Sequence, residues 1–278
     1  MIPNLRCYLK TWNLTEPKLL ADTPTSRVYA VTCNKEKVVL KLLSPIGKID
    51  EASGAAALKC FNGNGAVSLL KCDTKAQLLE FADGDDLAAL VKKGEDEKAT
   101  TIIADILNKL HYSYFGSPPV ELTKLSDRFS SLVKKAGEDE SKGLNSIFEK
   151  AAEVANLLIE SQKDLHILHG DIHHGNIKFS TKRGWLAIDP KGIVGERAYD
   201  AANTLCNPWD MESLVEDEER LLKNASILSK RLKVDYSRLL SFTFVHACLS
   251  AIWLLEDGLD PTHALTMVKI VEPHIECI

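Results

Sequence analysis

The segment HILHGDIHHGNIKF, residues 166–179, concentrates side chains that could do chemistry. It holds four histidines, one aspartate and one asparagine between apolar residues. The imidazoles could bind zinc, because histidines three or four residues apart occur in zinc sites. Alternatively, Asp171 and Asn176 could act in a catalytic loop that the histidines support. The two interpretations predict different enzymes.

The glycines of this segment favour a loop. Zinc-binding histidines at these spacings usually share one face of a helix, whereas Gly170 and Gly175 indicate an irregular backbone. Asn176 lies five residues after Asp171, which is the spacing of the corresponding residues in a kinase catalytic loop. There the carboxylate faces the acceptor hydroxyl and the amide oxygen faces a metal ion across the transferring phosphoryl group. The spacing therefore favours phosphoryl transfer over zinc chemistry.

The histidines then have supporting roles. We expect His169 to brace the loop through hydrogen bonds and His166 to pack in the core. We expect His173 or His174 to orient Asp171 or the substrate. A zinc-dependent hydrolase that uses the cluster from His166 to His174 stays the alternative, and it would retain bound metal and act without ATP.

A second carboxylate is expected at the end of a following strand, because Mg²⁺ prefers hard oxygen ligands. Asp189 follows the apolar stretch GWLAI and precedes Pro190. A residue before proline favours an extended backbone, which would direct the Asp189 side chain away from the strand tip. A plain Asp-Pro turn is the alternative.

Lys41 lies among apolar residues on a predicted strand. With a period of two it shares a face with Val39 and Leu43, so its ammonium group needs a partner. Glu51 lies on the inward stripe of the following predicted helix, together with Ala55 one turn later. A strand lysine held by a helix glutamate presents an ammonium group to nucleotide phosphates in kinase folds. A lysine that extends to solvent and a surface glutamate are the alternative.

The elements around these residues divide the chain into two parts. β-branched runs and turn residues surround one alanine-rich helix in the first part, which predicts an antiparallel sheet. Helical periodicity prevails afterwards, and a buried helix at 144–162 is expected to deliver the histidine-rich loop.

We therefore predict an α+β, bilobal protein-kinase-like fold. Its N-terminal nucleotide-binding lobe, 1–82, would contain the antiparallel sheet and one helix, and its C-terminal lobe, 83–278, would be larger and mainly helical. The predicted strands are 27–33, 37–43, 66–70, 76–82, 176–179 and 184–188, and the helix of the first lobe is 50–61.

Composition and charge limit the class of partner. The chain has 45% hydrophobic and 26% charged residues, typical of a globular protein, and a net charge of −5. Basic runs interleaved with aromatic residues do not occur in the sequence, so nucleic acid is not an expected partner. An acidic surface suits a cationic small molecule, although solubility alone also explains a mildly acidic protein.

The sequence predicts a cytoplasmic protein without a membrane partner. Its seven cysteines are scattered and form no CxxC pair, which is typical of a reducing compartment. The N-terminal residues lack the apolar core of a secretory signal. The longest apolar stretch, residues 244–255, is too short and too interrupted to span a bilayer.

The segment LHGDIHHGNIKFSTKRGWLAIDPKGIVGE, residues 168–196, resembles the signature of aminoglycoside phosphotransferase-like kinases, in particular the branch of streptomycin phosphotransferases and hydroxyurea-resistance kinases. Residues 19–31, 62–70 and 248–253 resemble the same branch in the same order, so the resemblance covers nearly the whole chain. HGDxHxxN alone marks a wide superfamily, whereas WLAIDPKGxVGE is much narrower. The resemblance implies ATP-dependent phosphorylation of a hydroxyl group on a small molecule of the streptomycin type, which would inactivate an antibiotic.

The resemblance also implies roles for individual residues. Asp171 is implied as the catalytic base, with Asn176 and Asp189 as Mg²⁺ ligands. Lys41 is implied as the lysine that contacts the phosphates of ATP, held by Glu51. The hinge that binds adenine through main-chain groups would be the run Glu80, Phe81 and Ala82.

Two departures from kinase patterns bear on the nucleotide and the acceptor. The loop at 21–27 that would cover the nucleotide has no glycine, so we expect modest nucleotide affinity. The sequence leaves no room for a long activation segment between Asp189 and the helical part that follows. A small acceptor is therefore favoured over a peptide.

Acidic side chains in the helical lobe could bind a cationic acceptor, although spacing fixes none of them. Asp200 in RAYDAANTL could equally cap a helix or brace a loop. A kinase of another small metabolite, and a nucleotide-binding module without catalysis, stay open as alternatives. The acidic candidates are Glu196, Asp200, Asp210, Glu256 and Asp257.

Overall fold

The N-terminal lobe is built on a five-stranded antiparallel sheet. The computed structural model describes residues 2–275, without the side chains of residues 48–50. The strand order in the sheet is β1-β2-β3-β5-β4. Asn34 and Lys35 both have positive φ, 48° and 70°, as a two-residue hairpin turn requires, so the predicted turn NKEK joins β2 to β3. The strands are β1 Thr15–Asp22, β2 Ser26–Cys33, β3 Glu36–Leu43, β4 Leu69–Cys72 and β5 Ala76–Glu80.

This lobe contains two helices, α1 Leu5–Thr11 and α2 Gly47–Phe61, where the sequence predicted one. The N-terminus of α1 is capped by Asn4, whose side chain accepts a hydrogen bond of 2.9 Å from the backbone of Arg6. α1 has only seven residues and none is buried, so it has no apolar stripe to reveal it. β1 was missed for a related reason, because all its residues are exposed and do not alternate.

Two hydrophobic clusters fill the protein. The smaller cluster lies between the sheet and α1 and includes Trp12 and Leu40. The larger cluster joins the inner face of α2, including Phe61, to the helices of the C-terminal lobe. The backbone N–H of Val67 donates a hydrogen bond of 3.0 Å to the carbonyl oxygen of Ala187 in the same region. α2 therefore packs its apolar face with the C-terminal lobe, and it also contacts β3 and β4 of the sheet.

The C-terminal lobe is mainly helical, which together with the antiparallel sheet confirms the α+β class. It also contains a three-stranded sheet of order β6-β10-β7 and a β8–β9 hairpin. Its strands are β6 Thr123–Lys124, β7 Leu165–Leu168, β8 Ile177–Ser180, β9 Gly184–Ala187 and β10 Ile193–Glu196. Its helices are α3 Ala88–Val91, α4 Asp96–His111, α5 Leu125–Arg128, α6 Ser130–Ser141, α7 Ile147–Glu160, α8 Arg197–Leu205, α9 Glu212–Val215, α10 Glu218–Leu232, α11 Tyr236–Glu256 and α12 Thr262–Val271.

A short strand, and not a helix, delivers the histidine-rich loop. α7 begins after a capping box formed by Ser146 and Glu149 and ends at Glu160. β7 then pairs with β10, Leu168 opposite Ile193, and leads into the loop. The expectation that the helix itself leads into the loop is therefore wrong, because four residues can pair as a strand without showing clear alternation in the sequence.

The apolar stretch 244–255 belongs to α11, which is longer than the stretch itself. α11 has 21 residues and a mean hydropathy of 1.6 over an 18-residue window, so by length and composition it could cross a membrane. However, 72% of that window is buried within the protein, where α8, α7 and α12 pack around it. The helix therefore has the surroundings of a core helix.

The chain passes from the sheet into the helical part after Glu80, where β5 ends. The β8–β9 turn reaches back to the sheet through Arg183, which contacts the side chain of Glu80 and the carbonyl oxygen of Gly63. Thr181 in the same turn hydrogen-bonds to Asp83 through its backbone N–H, at 2.8 Å, and through its hydroxyl, at 2.7 Å. These contacts fix the connection between the two lobes.

Candidate active site

Lys41 and Glu51 form a buried ion pair. β3 places Lys41 opposite Val28 on one side and Gln77 on the other, and Nζ of Lys41 lies 2.6 Å from Oε2 of Glu51 on α2. Nζ also donates a hydrogen bond of 2.5 Å to Oδ1 of Asp189. Burial alone would lower the pKa of Lys41, but the charges of Asp189 and Glu51 outweigh it and raise the pKa. Lys41 is therefore a fixed cation at the base of the cleft.

Asp189 follows β9 in a left-handed conformation, with φ of +58°. The extended backbone expected before Pro190 is therefore wrong. Aspartate tolerates this region better than most residues, and Ile188 is held by a hydrogen bond of 2.9 Å from its N–H to the carbonyl oxygen of Asn176. Burial would raise the pKa of Asp189, but the charges of Lys41 and Lys191 lower it, so the carboxyl group is ionised.

Asp171 and Asn176 lie at the two ends of one short loop that closes on itself. Nδ2 of Asn176 donates a hydrogen bond of 2.9 Å to the carbonyl oxygen of Asp171 and lies 3.5 Å from its Oδ2. Because the amide nitrogen faces Asp171, the amide oxygen is directed elsewhere. Asn176 and Asp189 are also close in the fold, since they flank the first register pair of β8 and β9, Ile177 with Ala187.

The side chain of Asp200 holds the start of the loop that contains Asp171. Its carboxylate accepts hydrogen bonds from the backbone N–H groups of His169, at 2.8 Å, and Gly170, at 2.7 Å. Nε2 of His111 lies 2.9 Å from its Oδ2. Burial would raise the pKa of Asp200, but these hydrogen bonds lower it. Gly170 has φ of +80°, and a Cβ there would lie 2.6 Å from Cδ1 of Ile193, so the tight loop requires glycine at this position.

His169 braces the loop as the sequence suggested. Its Nε2 donates a hydrogen bond of 2.9 Å to the carbonyl oxygen of Ile188, and its Nδ1 accepts one of 3.2 Å from the N–H of Asp171. The ring therefore connects the loop of Asp171 to the strand end that carries Asp189. It lies beneath the reacting groups and is fully buried.

The other histidines of the segment point to separate partners. His166 contacts the carbonyl oxygen of His111 and Oδ1 of Asp164, and Nδ1 of His173 accepts a hydrogen bond of 3.2 Å from Gly175. The imidazole of His174 is buried, and neither ring nitrogen has a hydrogen-bond partner among the described residues; burial lowers its pKa to about 3. Within residues 2–275, no group of three His, Cys, Asp or Glu side chains could hold a metal ion. The described residues therefore offer no ligand cluster of the kind that the zinc-hydrolase alternative requires.

A further contact to Asp171 comes from α8. Nδ2 of Asn203 donates a hydrogen bond of 3.0 Å to Oδ1 of Asp171. Oδ1 of Asn203 lies 3.0 Å from Nε2 of His246 on α11 and accepts a hydrogen bond of 2.9 Å from Asn207. Sequence reasoning missed Asn203, although it follows Asp200 by three residues and so shares its helix face. His246 also gave a signal, as an isolated polar residue in an apolar helix.

The acidic candidates for substrate binding are not brought together. Glu196 is buried and paired with Arg238, whose Nη2 lies 2.6 Å from Oε2 of Glu196, and the buried carboxylate of Asp200 is occupied by the loop. Neither side chain is accessible to a substrate, so these two expectations are wrong, and Asp200 has the bracing role weighed as its alternative. Asp210, Glu256 and Asp257 are exposed.

The predicted adenine hinge lies between the lobes. Glu80 ends β5, and its side chain accepts a hydrogen bond of 3.0 Å from the N–H of Ser68 in addition to its contact with Arg183. Phe81 and Ala82 follow in the connecting segment and are half-buried. The side chain of Glu80 is therefore occupied by contacts within the protein, and its N–H donates a hydrogen bond of 2.9 Å to the carbonyl oxygen of Ser68.

The oxygen atoms near Asp171 suit a magnesium ion. Asn176 offers an amide oxygen, and Asp189 offers Oδ2, which lies 4.0 Å from Nζ of Lys191. Mg²⁺ usually binds through one or two such side chains and completes its octahedron with phosphate oxygens and water. The donor set therefore fits this ion, which would bridge and neutralise nucleotide phosphates.

A lysine–glutamate pair beneath a five-stranded sheet and an Asp–Asn loop on a helical lobe define a phosphotransferase with a protein-kinase-like fold. The family of aminoglycoside/hydroxyurea antibiotic resistance kinases matches residues 11–258. The chain is 33% identical over 256 residues to a streptomycin 3''-kinase of Klebsiella pneumoniae, covering 90% of this chain and 92% of that enzyme. It is 28% identical to a streptomycin 6-kinase of Streptomyces glaucescens, covering 96% and 87%. The chain belongs to this kinase family and is an ATP-dependent small-molecule kinase.

Solved structures show the same fold. The aminoglycoside phosphotransferase APH(4)-Ia, in complex with ADP and hygromycin B, superposes with a TM-score of 0.67 at 12% identity, covering 97% of this chain and 96% of that one. An ethanolamine kinase of Plasmodium vivax superposes with a TM-score of 0.66 at 17% identity, covering 98% and 86%. These matches confirm the predicted fold class.

Proposed function

We propose that the protein phosphorylates a hydroxyl group of a streptomycin-type aminoglycoside, with Mg²⁺ held by Asn176 and Asp189. The choice of substrate rests on the 33% identity to a streptomycin 3''-kinase along 90% of this chain. A net charge of −5 is compatible with a cationic acceptor. Asp171, Lys41 and the two metal-binding residues supply the chemistry.

Asp171 accepts the proton of the acceptor hydroxyl group. Its Oδ1 is held by Asn203 at 3.0 Å. Among the described residues, its Oδ2 has only the 3.5 Å contact with Asn176, so Oδ2 takes the proton. The hydroxyl oxygen forms a bond to the γ-phosphorus of ATP, while the bond from that phosphorus to the bridging oxygen of ADP breaks. The products are a phosphate ester, ADP and a proton that leaves Asp171 for solvent.

Three further assignments belong to this proposal. The nucleotide-binding lobe comprises residues 1–82 and the substrate lobe residues 83–278. The adenine of ATP contacts main-chain groups of Glu80, Phe81 and Ala82, and Lys41 contacts its phosphates. The protein acts in the cytoplasm, without a nucleic-acid or membrane partner.

The test is ADP release from ATP and Mg²⁺ over a panel of streptomycin, other aminoglycosides, hydroxyurea, choline, homoserine and sugars. Streptomycin should stimulate release, and Asp171→Asn should lower kcat by about 10²- to 10⁴-fold. Asp105→Asn is the matched control, because it breaks an exposed ion pair with Arg231 and should leave kcat unchanged. If another acceptor on the panel stimulates ADP release and streptomycin does not, the substrate is that other small metabolite.

A further inference from the structure

Lys191 has a backbone position that several contacts fix. Its N–H donates a hydrogen bond of 2.7 Å to the carbonyl oxygen of His169 in the catalytic loop. The next residue, Gly192, has φ of +67°, and a Cβ there would overlap the carbonyl oxygen of Ser53 on α2. The chain at this point is therefore clamped between the catalytic loop and the helix that carries Glu51. The backbone of Lys191 is therefore held in place close to Asp189.

The side chain of Lys191 places a second ammonium group at the proposed metal-binding carboxylate. Nζ of Lys191 lies 4.0 Å from Oδ2 of Asp189, while Nζ of Lys41 lies 2.5 Å from Oδ1. Asp189 is thus flanked by one cation on each oxygen. The side chain of Lys191 is 31% exposed, against 7% for Lys41, so Lys191 is the cation that is open to a ligand.

The two lysines differ in how firmly they are paired. Lys41 is within hydrogen-bond distance of both Glu51, at 2.6 Å, and Asp189, at 2.5 Å. Lys191 is only within 4.0 Å of Asp189, which is beyond hydrogen-bond distance. A partly exposed ammonium that no described carboxylate approaches more closely than 4.0 Å, next to a carboxylate that would bind a metal ion, is suited to a phosphate oxygen.

We propose that Lys191 is a further catalytic residue, which binds the γ-phosphoryl group of ATP and stabilises its charge during transfer. The inference rests on the proposed function in taking the nucleotide as ATP with its γ-phosphoryl group beside Asp189. Preorganised cations around the transferring group lower the barrier to phosphoryl transfer. Lys41 keeps the phosphate contact that the proposed function assigns to it.

The test compares the affinities of AMP-PNP and ADP by calorimetry in the presence of Mg²⁺. Lys191→Met should weaken AMP-PNP about tenfold, as expected when one charge-assisted contact is lost, and leave ADP within about twofold. Lys191→Arg keeps the positive charge and should retain most of the difference in affinity between AMP-PNP and ADP. Lys182→Met is the matched control, because its ammonium group is exposed and pairs with Glu36 at the surface. With an active acceptor, Lys191→Met should also lower kcat by about 10²-fold.

The ratio of the affinities for AMP-PNP and ADP decides whether Lys191 binds the γ-phosphoryl group. A Lys191→Met variant that weakens both nucleotides equally, or neither, overturns it, because the lysine would then only balance the charge of Asp189. The measurement needs no acceptor, so an inactive panel would refute the proposed substrate without affecting this result. A wild-type protein that binds neither nucleotide would refute both proposals.

Discussion

Asn203 holds the carboxylate of Asp171, the proposed catalytic base, through a hydrogen bond of 3.0 Å from its Nδ2 to Oδ1 of Asp171. The orientation of its amide group is fixed, because its Oδ1 accepts a hydrogen bond of 2.9 Å from Asn207 and lies 3.0 Å from Nε2 of His246. Burial lowers the pKa of His246 to about 3, so its ring is neutral near pH 7. Asn203 is therefore a positioning residue that acts through Asp171.

We expect Asn203→Ala to lower kcat by about 10²-fold, because a misplaced base loses near-attack geometry. The KM for ATP should stay within about twofold, since the proposed nucleotide contacts at Lys41, Asp189 and residues 80–82 do not include Asn203. Steady-state kinetics check this split, with Asn145→Ala at an exposed position as control. A rise in the KM for ATP as large as the fall in kcat, or a large drop in the unfolding temperature, would indicate a structural role instead.

The proposed metal ligands give a prediction about Mg²⁺. Chelation with EDTA should abolish turnover, and excess Mg²⁺ should restore it. Asp189→Asn replaces one anionic ligand by a neutral one, so it should raise the Mg²⁺ concentration for half-maximal activity by at least about tenfold. Titration of activity with Mg²⁺ measures this value. Activity of Asp189→Asn at the wild-type Mg²⁺ requirement would exclude the carboxylate as a ligand.

Asp200 should matter for stability far more than the exposed acidic residues. Asp200→Ala removes a buried acceptor from two backbone N–H groups and from His111. We expect the free energy of unfolding to fall by about 3 kcal/mol or more. Asp257→Ala, at an exposed site, should change it by less than about 0.5 kcal/mol. Urea unfolding followed by tryptophan fluorescence compares the variants, and equal stabilities would contradict the bracing role.

Two buried histidines predict a dependence of stability on pH. Burial lowers the pKa of His174 and His246 to about 3 from an ordinary value of 6.5. Below pH 6.5 the unfolded chain binds protons that the folded protein does not, so stability falls as the pH falls from 6.5 towards 3. Each histidine should contribute roughly 1 kcal/mol per pH unit. Unfolding measured at pH 7, 6 and 5 should give a shallower slope for His246→Gln than for the wild type, and identical slopes would contradict the prediction.

The sequence predicts residues well where local periodicity determines their position. Lys41 follows from the alternation of β3, and Glu51 from the stripe of α2, so their pairing could be expected from the sequence alone. Asp171 and Asn176 are close in the chain, and the length of one loop limits their separation. In such cases the geometry within one element, or between consecutive elements, carries the prediction.

Long-range pairing accounts for what the sequence did not predict. Glu196 looks like a free acidic group in the sequence, because Arg238 lies 42 residues away. The sequence allowed a bracing role for Asp200 but not its partner His111, which lies 89 residues away. The left-handed backbone of Asp189 overrides the local preference before Pro190, since hydrogen bonds tie Ile188 to Asn176 and Lys191 to His169. Asn203 and His246 acquire their significance only when α8 packs against α11.

The division of hydrophobic contacts between two clusters has a mechanical consequence. α2 shares its apolar face with the C-terminal helices, whereas the sheet has a core of its own with α1. A movement that changes the position of the sheet relative to α2 would act at the boundary of these two clusters. The ion pair of Lys41 on the sheet and Glu51 on α2 crosses that boundary, so the distance between its two charged groups would report such a movement.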